Sequence, residues 1–251
     1  MMAQTTQEYN KTQLNPETSF KRHVFHRDQF AHYLRWTHVL KRAKIGMKIL
    51  DFGCANGNLL EVLYRNMYKG EKYLGLDIRK QLIKNTSEKF KNVKWAQFKE
   101  KDLCEENIYN LVGNNWDIIC SFEVMEHIGK VNVDKFLKNI YNCCNENTEI
   151  LISTPNYDEN VGAAKNHIIN GEVGEFTYDE LKEILEKYFI IKEVYGTFAS
   201  QKDYKKEMND WQIKIFESLN KYYDSNLVSN IMAPIMDAKL ARNCLWVLVK
   251  K

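Results

Sequence analysis

The sequence predicts an α/β fold, a mostly parallel sheet covered by helices on both faces. Three observations carry this. Short apolar runs of strand character recur at residues 48–52, 72–78, 93–98, 116–122, 149–153, 189–196 and 243–250. Helical apolar spacing fills several of the gaps, at 58–68, 79–90, 133–144 and 177–188. The first run, "KILDF", leads into a glycine-rich turn, "GCANG", that opens the first of those helices.

Taken in order, residues 1–19 are polar and are expected to be flexible. Over 20–44, Phe25, Phe30, Tyr33, Leu34, Val39 and Leu40 recur at helical spacing, which predicts one or two helices. This arm, residues 1–44, holds eight Lys/Arg against three Asp/Glu, and four of the six histidines. The remainder, 45–251, holds 28 basic against 30 acidic residues and forms the main domain. A basic, aromatic-rich arm suits a phosphate-bearing partner such as a nucleic acid. It equally describes a solvated helix, so His23, His26, Arg27, Arg35, Trp36 and His38 are acceptor candidates only by position.

Further along, "TYDEL" opens the helix at 177–188, with Thr177 as cap and Glu180 closing a capping box. Two stretches break the alternation. Residues 156–175 form a long connection after the fifth strand, and 199–242 form a helical insertion before the last one. The insertion carries Tyr204, Trp211, Phe216, Tyr222, Tyr223, Met232 and Met236; Trp211, Ile215 and Leu219 repeat at helical spacing and are expected to form its core.

Composition excludes some classes. The chain has 251 residues, 44% of them hydrophobic, enough to bury a core. No apolar run approaches the roughly 18 residues of a membrane span, so no membrane partner is expected. The N-terminus lacks a basic-then-apolar leader. Cys54, Cys104, Cys120, Cys143, Cys144 and Cys244 are scattered with no C-x-x-C pair, which suits buried reduced thiols in a cytoplasmic protein.

The turn after the first strand points to a ligand. Gly53 and Gly57 permit tight backbone geometry and close approach, and open α/β sheets bind ligands at the carboxyl ends of their strands. Gly53, Ala55 and Gly57 are spaced by two, so the dinucleotide pattern G-x-G-x-x-G is not met. Asp77 ends the next strand, 20 positions past Gly57, where a carboxylate can accept both hydroxyls of a ribose. Asp102, in "KEKDL" after the third strand, can accept from an adenine amino group.

The set D-x-G-x-A-x-G, the later L-D and D-L, and the fourth strand "WDIICSFEVMEHI" resemble the class I S-adenosylmethionine-dependent methyltransferases of Rossmann-like fold. The resemblance covers about 45–196 and returns at 243–250. It implies a seven-stranded sheet with its last strand antiparallel, and S-adenosylmethionine as cofactor. It implies that Asp51 and Gly53 meet the methionine part, Asp77 the ribose and Asp102 the adenine. Ala55, Gly57, Ile78, Leu103, Phe122 and Glu123 complete the implied cofactor pocket.

Methyl transfer is an in-line displacement with a good leaving group, so the protein chiefly positions the acceptor and handles one proton. The fourth strand carries no N-P-P-Y or D-P-P-Y of DNA amine methylation, and no Pro-Cys of cytosine-carbon methylation. It carries Glu123-Val124-Met125-Glu126-His127 instead, with His167 in the later connection. Two carboxylates three apart and an imidazole converge on one metal if the segment is helical. The arrangement resembles two O-methyltransferase families, those of small-RNA 3′ ends and of ubiquinone biosynthesis. Carried over, it makes Glu123, Glu126, His127 and His167 ligand candidates for Mg or Mn, with Glu123, Glu126 and His127 as catalytic candidates. The small-RNA family has a second His near the later one and a Trp where this chain has Phe176. Class I enzymes of small molecules also carry E-V-x-E-H without metal. Asn156, Tyr157, His167, Tyr195 and Ser200 follow strand ends and are the candidate acceptor contacts.

Three readings stay open. One is methylation of a hydroxyl or amine on a small or nucleotide-like acceptor. The second is a metal-dependent nucleic-acid 2′-O-methyltransferase, and the third a cofactor-binding module without catalysis.

Overall fold

The structure, a computed structural model, describes residues 27–157, 167–199 and 204–251. His23, His26, Ser200 and the middle of the 156–175 connection lie outside the described residues.

Helix α1 (Arg27–Arg42) precedes β1 (Lys48–Phe52). Then come α2 (Asn58–Arg65), β2 (Lys72–Asp77), α3 (Lys80–Lys89), β3 (Ala96–Glu100), α4 (Ile108–Val112) and β4 (Ile118–Phe122). The second half holds α5 (Met125–Ile128), α6 (Lys130–Cys143), β5 (Glu149–Pro155), a small hairpin β6 (Ile168–Ile169) and β7 (Glu172–Val173), and α7 (Tyr178–Leu185). After β8 (Phe189–Ala199) the insertion contributes α8 (Asp210–Asn220) and α9 (Ser225–Met232), and β9 (Ala241–Lys250) follows.

Seven strands form one sheet in the order β3-β2-β1-β4-β5-β9-β8. The pairs from β3 to β5 are parallel; β9 alone runs antiparallel, between β5 and β8. The order reverses between β1 and β4, which opens a crevice at their carboxyl ends. β1, β2, β4, β5 and β9 are buried almost throughout because both faces are covered, and the edge strand β3 is only partly buried. On one face Val39 of α1, Leu59, Leu60 and Leu63 of α2, and Phe90 pack on Ile49, Cys120, Leu151 and Leu245. On the other, Ile108, Phe136, Leu137, Ile140, Leu181 and Leu185 cover Leu50, Ile119, Ile150 and Trp246. All six cysteines are free thiols, and all but Cys104 are buried. No described helix is long and apolar enough to cross a membrane.

The capping box at α7 forms as expected: the Glu180 amide donates to Thr177 Oγ1 at 3.2 Å and the Thr177 amide to Glu180 Oε2 at 2.8 Å. Three expectations change. The third strand runs 96–100 rather than 93–98, because Val93 closes a turn on the Phe90 carbonyl and pairing with β2 begins at Ala96. Trp211 is 58% exposed and is not core. Gln212 takes the inner position instead: its side chain completes a cap with Asn209 and donates to the Ile235 carbonyl at 2.6 Å, so Ile215, Phe216 and Leu219 turn inward. Nor is α1 simply solvated, since Arg35 is 2% exposed.

Candidate functional site

The carboxyl ends of β1, β2 and β4 meet around the glycine turn. Gly53 stands at φ +87° and its amide donates to the Leu76 carbonyl at 2.8 Å, which ties the turn to β2. A β-carbon at Gly53 would stand 2.3 Å from Val124 Cγ2, so the turn also abuts the end of β4. Ala55 (φ +46°) and Gly57 (φ +70°) continue the left-handed path into α2. The Ala55 amide donates to Asp77 Oδ2 at 3.1 Å.

Asp77, at the end of β2, is 4% exposed. Arg79 clamps it with Nε to Oδ1 and Nη2 to Oδ2, both at 2.8 Å, and its amide adds a bond to Oδ1 at 3.0 Å. Ile78 beside it is 61% exposed. Asp51 lies inside β1, opposite Gly75 and Cys120, and accepts from the Tyr73 hydroxyl at 2.5 Å. Burial pushes its carboxyl up to about 7; the Tyr73 bond opposes this and the charge of Asp77 adds to it. At β3, Asp102 Oδ1 accepts the Cys104 amide at 2.9 Å, and Leu103 is buried in the core. Phe122, half-buried at the end of β4, packs on the α1 face.

Two polar clusters flank the end of β4. The first lies on the α1 side. Glu123 adopts φ +57°, a conformation that strains a residue with a β-carbon. It accepts from Ser153 Oγ at 3.0 Å and Asn243 Nδ2 at 2.7 Å, and faces Arg35 Nη1 at 3.5 Å. Burial alone would raise its carboxyl; the Arg35 charge and the Asn243 bond, joined by His32 and Ser153, outweigh this and hold it below the usual range. Arg35 also meets His32 Nδ1 at 3.2 Å, and Tyr195 packs its ring 4.3 Å from that of His38.

The second cluster lies on the opposite face. One donor atom each from Glu126, His127 and His167 fall within 4.8 Å of one another. Glu126 is buried and accepts from Thr154 Oγ1 at 3.0 Å. Burial, reinforced by Glu123, pushes its carboxyl well up. Burial and the neighbouring His167 push the His127 imidazole down to about 3. His167 Nδ1 lies 2.7 Å from Glu175 Oε1, and Arg242 Nη2 donates to Glu175 Oε2 at 2.7 Å. Glu123, expected as a fourth donor to one ion, is not in this convergence; its oxygens are engaged by Ser153, Asn243 and Arg35.

Of the acceptor candidates, Asn156 is buried and donates to the Ala241 carbonyl and Cys244 Sγ, tying β5 to β9. Tyr157 is half-buried, its amide on the Phe176 carbonyl at 2.7 Å. Sequence reasoning missed Arg79, Ser153, Glu175, Arg242 and Asn243. Arg79 was findable, two residues past the expected ribose acid. Arg242 and Asn243 reach the site only through the placement of β9 beside β5, which no local pattern signals.

The model of the family described as a methyltransferase domain matches residues 25–193. Solved structures share the fold. The N-methyltransferase NodS of Bradyrhizobium japonicum, in complex with S-adenosyl-L-homocysteine, is 12% identical with a TM-score of 0.61, covering 99% of each chain. A TehB-like S-adenosylmethionine-dependent methyltransferase of Corynebacterium glutamicum is 16% identical, with a TM-score of 0.57 and 98% of each chain covered. A phosphoethanolamine N-methyltransferase of Haemonchus contortus, in complex with phosphomonomethylethanolamine and S-adenosylhomocysteine, is 18% identical with a TM-score of 0.56, covering 87% of this chain and 53% of that one. No curated protein matches in sequence.

Proposed function

The chain belongs to the methyltransferase-domain family, and from that premise we propose that it moves a methyl group from S-adenosylmethionine to a hydroxyl or amine of a small or nucleotide-like acceptor, releasing S-adenosylhomocysteine. The observation that carries this reading is the buried Asp77 carboxylate, bonded by the Ala55 amide of the glycine turn at 3.1 Å. It joins the acid suited to a ribose to the corner suited to the methionine part. Asp51 meets the amino-acid end, Gly53 lets the ligand approach the backbone, and Asp102 and Leu103 flank the base.

At the end of β4, Glu123 orients the acceptor. Arg35, Asn243 and Ser153 keep its carboxylate ionised, so it accepts a hydrogen bond from the attacking O–H or N–H. Incubation with radiolabelled S-adenosylmethionine and fractionated lysate tests the reading. Label in the small-molecule or nucleotide fraction supports it. Label confined to protein, or to no fraction while the cofactor still binds, refutes it.

A second reading rests on the other cluster. Glu126, His127 and His167 suit a divalent ion: their donors converge, the His127 imidazole is held neutral, Glu175 steadies His167 through Nδ1, and an ion would take the place of the proton that burial favours on Glu126. A bound Mg or Mn ion would polarise an acceptor hydroxyl and lower its pKa. With the basic arm, this favours a nucleic-acid 2′-O-methyltransferase. Label in the RNA fraction, abolished by EDTA and by Glu126→Ala, supports it; full activity in chelator refutes it.

A further inference from the structure

The Asp77 carboxylate has no acceptor position left. A carboxylate offers about four lone-pair sites. The Arg79 amide and Nε donate to Oδ1 at 3.0 and 2.8 Å; the Ala55 amide and Arg79 Nη2 donate to Oδ2 at 3.1 and 2.8 Å. The two hydroxyls of a ribose would bring two more donors to the same two oxygens. Two of the present donors are backbone amides fixed by the turn and by the start of α3. The other two belong to one guanidinium on a flexible stem, with the side chain 33% exposed. That guanidinium is the part free to leave.

We propose that Arg79 sets the affinity for the cofactor: its guanidinium stands in for the ribose diol on Asp77 and is displaced when the nucleoside binds. The inference rests on the cofactor reading above. In the empty protein Arg79 spares Asp77 the cost of a buried, unpaired charge. Cofactor must then exchange that pairing for its own two hydrogen bonds. Its apparent affinity is reduced by the fraction of molecules in which Asp77 is uncovered.

Calorimetric titration with S-adenosylhomocysteine tests this. Arg79→Met keeps length and loses every side-chain donor. It should bind about tenfold tighter than the parent, the gain expected if roughly one molecule in ten has Asp77 uncovered. The gain should shrink as salt rises, because screening already weakens a partly exposed ion pair in the parent. Equal or weaker binding by Arg79→Met overturns the proposal. Should that variant fail to fold, the parent supplies the readout: the Arg79 Nε–H resonance, held on Asp77 in the free protein, should shift and exchange faster with ligand bound, and an unmoved signal overturns the proposal. Asp77→Ala separates the two ideas. If it abolishes binding while Arg79→Met changes nothing, only the role of Arg79 fails. If it leaves affinity intact, the cofactor reading itself falls.

Discussion

Replacing Gly53 with alanine isolates the tightness of the turn on which the cleft is built. The residue sits at φ +87°, where a β-carbon costs roughly 1–2 kcal/mol. The same carbon would lie 2.3 Å from Val124 Cγ2, well inside the roughly 3.5–4.0 Å at which carbons pack. Relief of such crowding typically costs a further ~1–3 kcal/mol. The sum, about 2–5 kcal/mol, is a large part of the ~5–15 kcal/mol that holds an ordinary domain folded. Urea unfolding followed by circular dichroism should show a midpoint lower by about 1–2 M. The crowding part is separable: combined with Val124→Ala, Gly53→Ala should lose much less than the two single changes together, a coupling of about 1–3 kcal/mol. A single-variant effect under about 0.5 kcal/mol, or no coupling to Val124, would refute the argument from the turn.

Three further changes probe other contacts. Asp51, whose folded carboxyl is pushed up to about 7 from 3.8, keeps its proton where the unfolded chain has lost it; its contribution is therefore fully present below pH 3.8 and declines as pH rises to about 7. Asp51→Asn should gain on the parent across that window by at most about 4 kcal/mol in urea titrations, and a pH-independent difference would count against the burial argument. Arg242→Met strips the cation from Glu175, which is fully buried, so calorimetry should show a melting temperature lower by about 10 °C; an unchanged melt would mean that the pair is not closed. Glu193→Ala breaks a contact to Arg42 in which Glu193 is 46% exposed, and should cost less than about 0.5 kcal/mol by urea titration; a loss above 1 kcal/mol would contradict that.

The sheet was legible because its inner strands are buried on both faces and read as apolar runs, whereas the partly buried edge strand β3, with Gln97, Lys99 and Glu100, begins three residues later than expected. Their ends were less legible. Val93 looks like strand yet plugs the core from a turn, and β5 runs on through Thr154 to Pro155, a residue type that ordinarily ends a strand reading. The short helices α4 and α5, of five and four residues, span too little chain for a helical period to show. The hairpin of β6 and β7 did leave a mark, the Asn170-Gly171 pair, whose φ values of +52° and +84° suit a two-residue turn. Gly53, Asp77 and Asp102 lie at or just past the ends of β1, β2 and β3, and such local turns leave motifs that a sequence shows. The polar clusters around Glu123 and Glu126 are assembled from α1, β4, β5, the hairpin and β9, and Arg242 meets Glu175 across 67 positions of chain. Side-chain choice at such distances is set by packing, which a single sequence does not spell out.

The place of β9 has a consequence for biogenesis. A nascent chain can pair β1 to β5 as it leaves the ribosome, but β9 slots between β5 and β8 only after the insertion has emerged. Until then β5 presents a raw edge, Glu123 lacks its Asn243 amide, and Glu175 lacks the guanidinium of Arg242. Long-range strand insertion of this kind is slow to nucleate. Half-made molecules thus hold the glycine turn and Asp77 in place, while the polar clusters at the end of β4 wait for the closing strand.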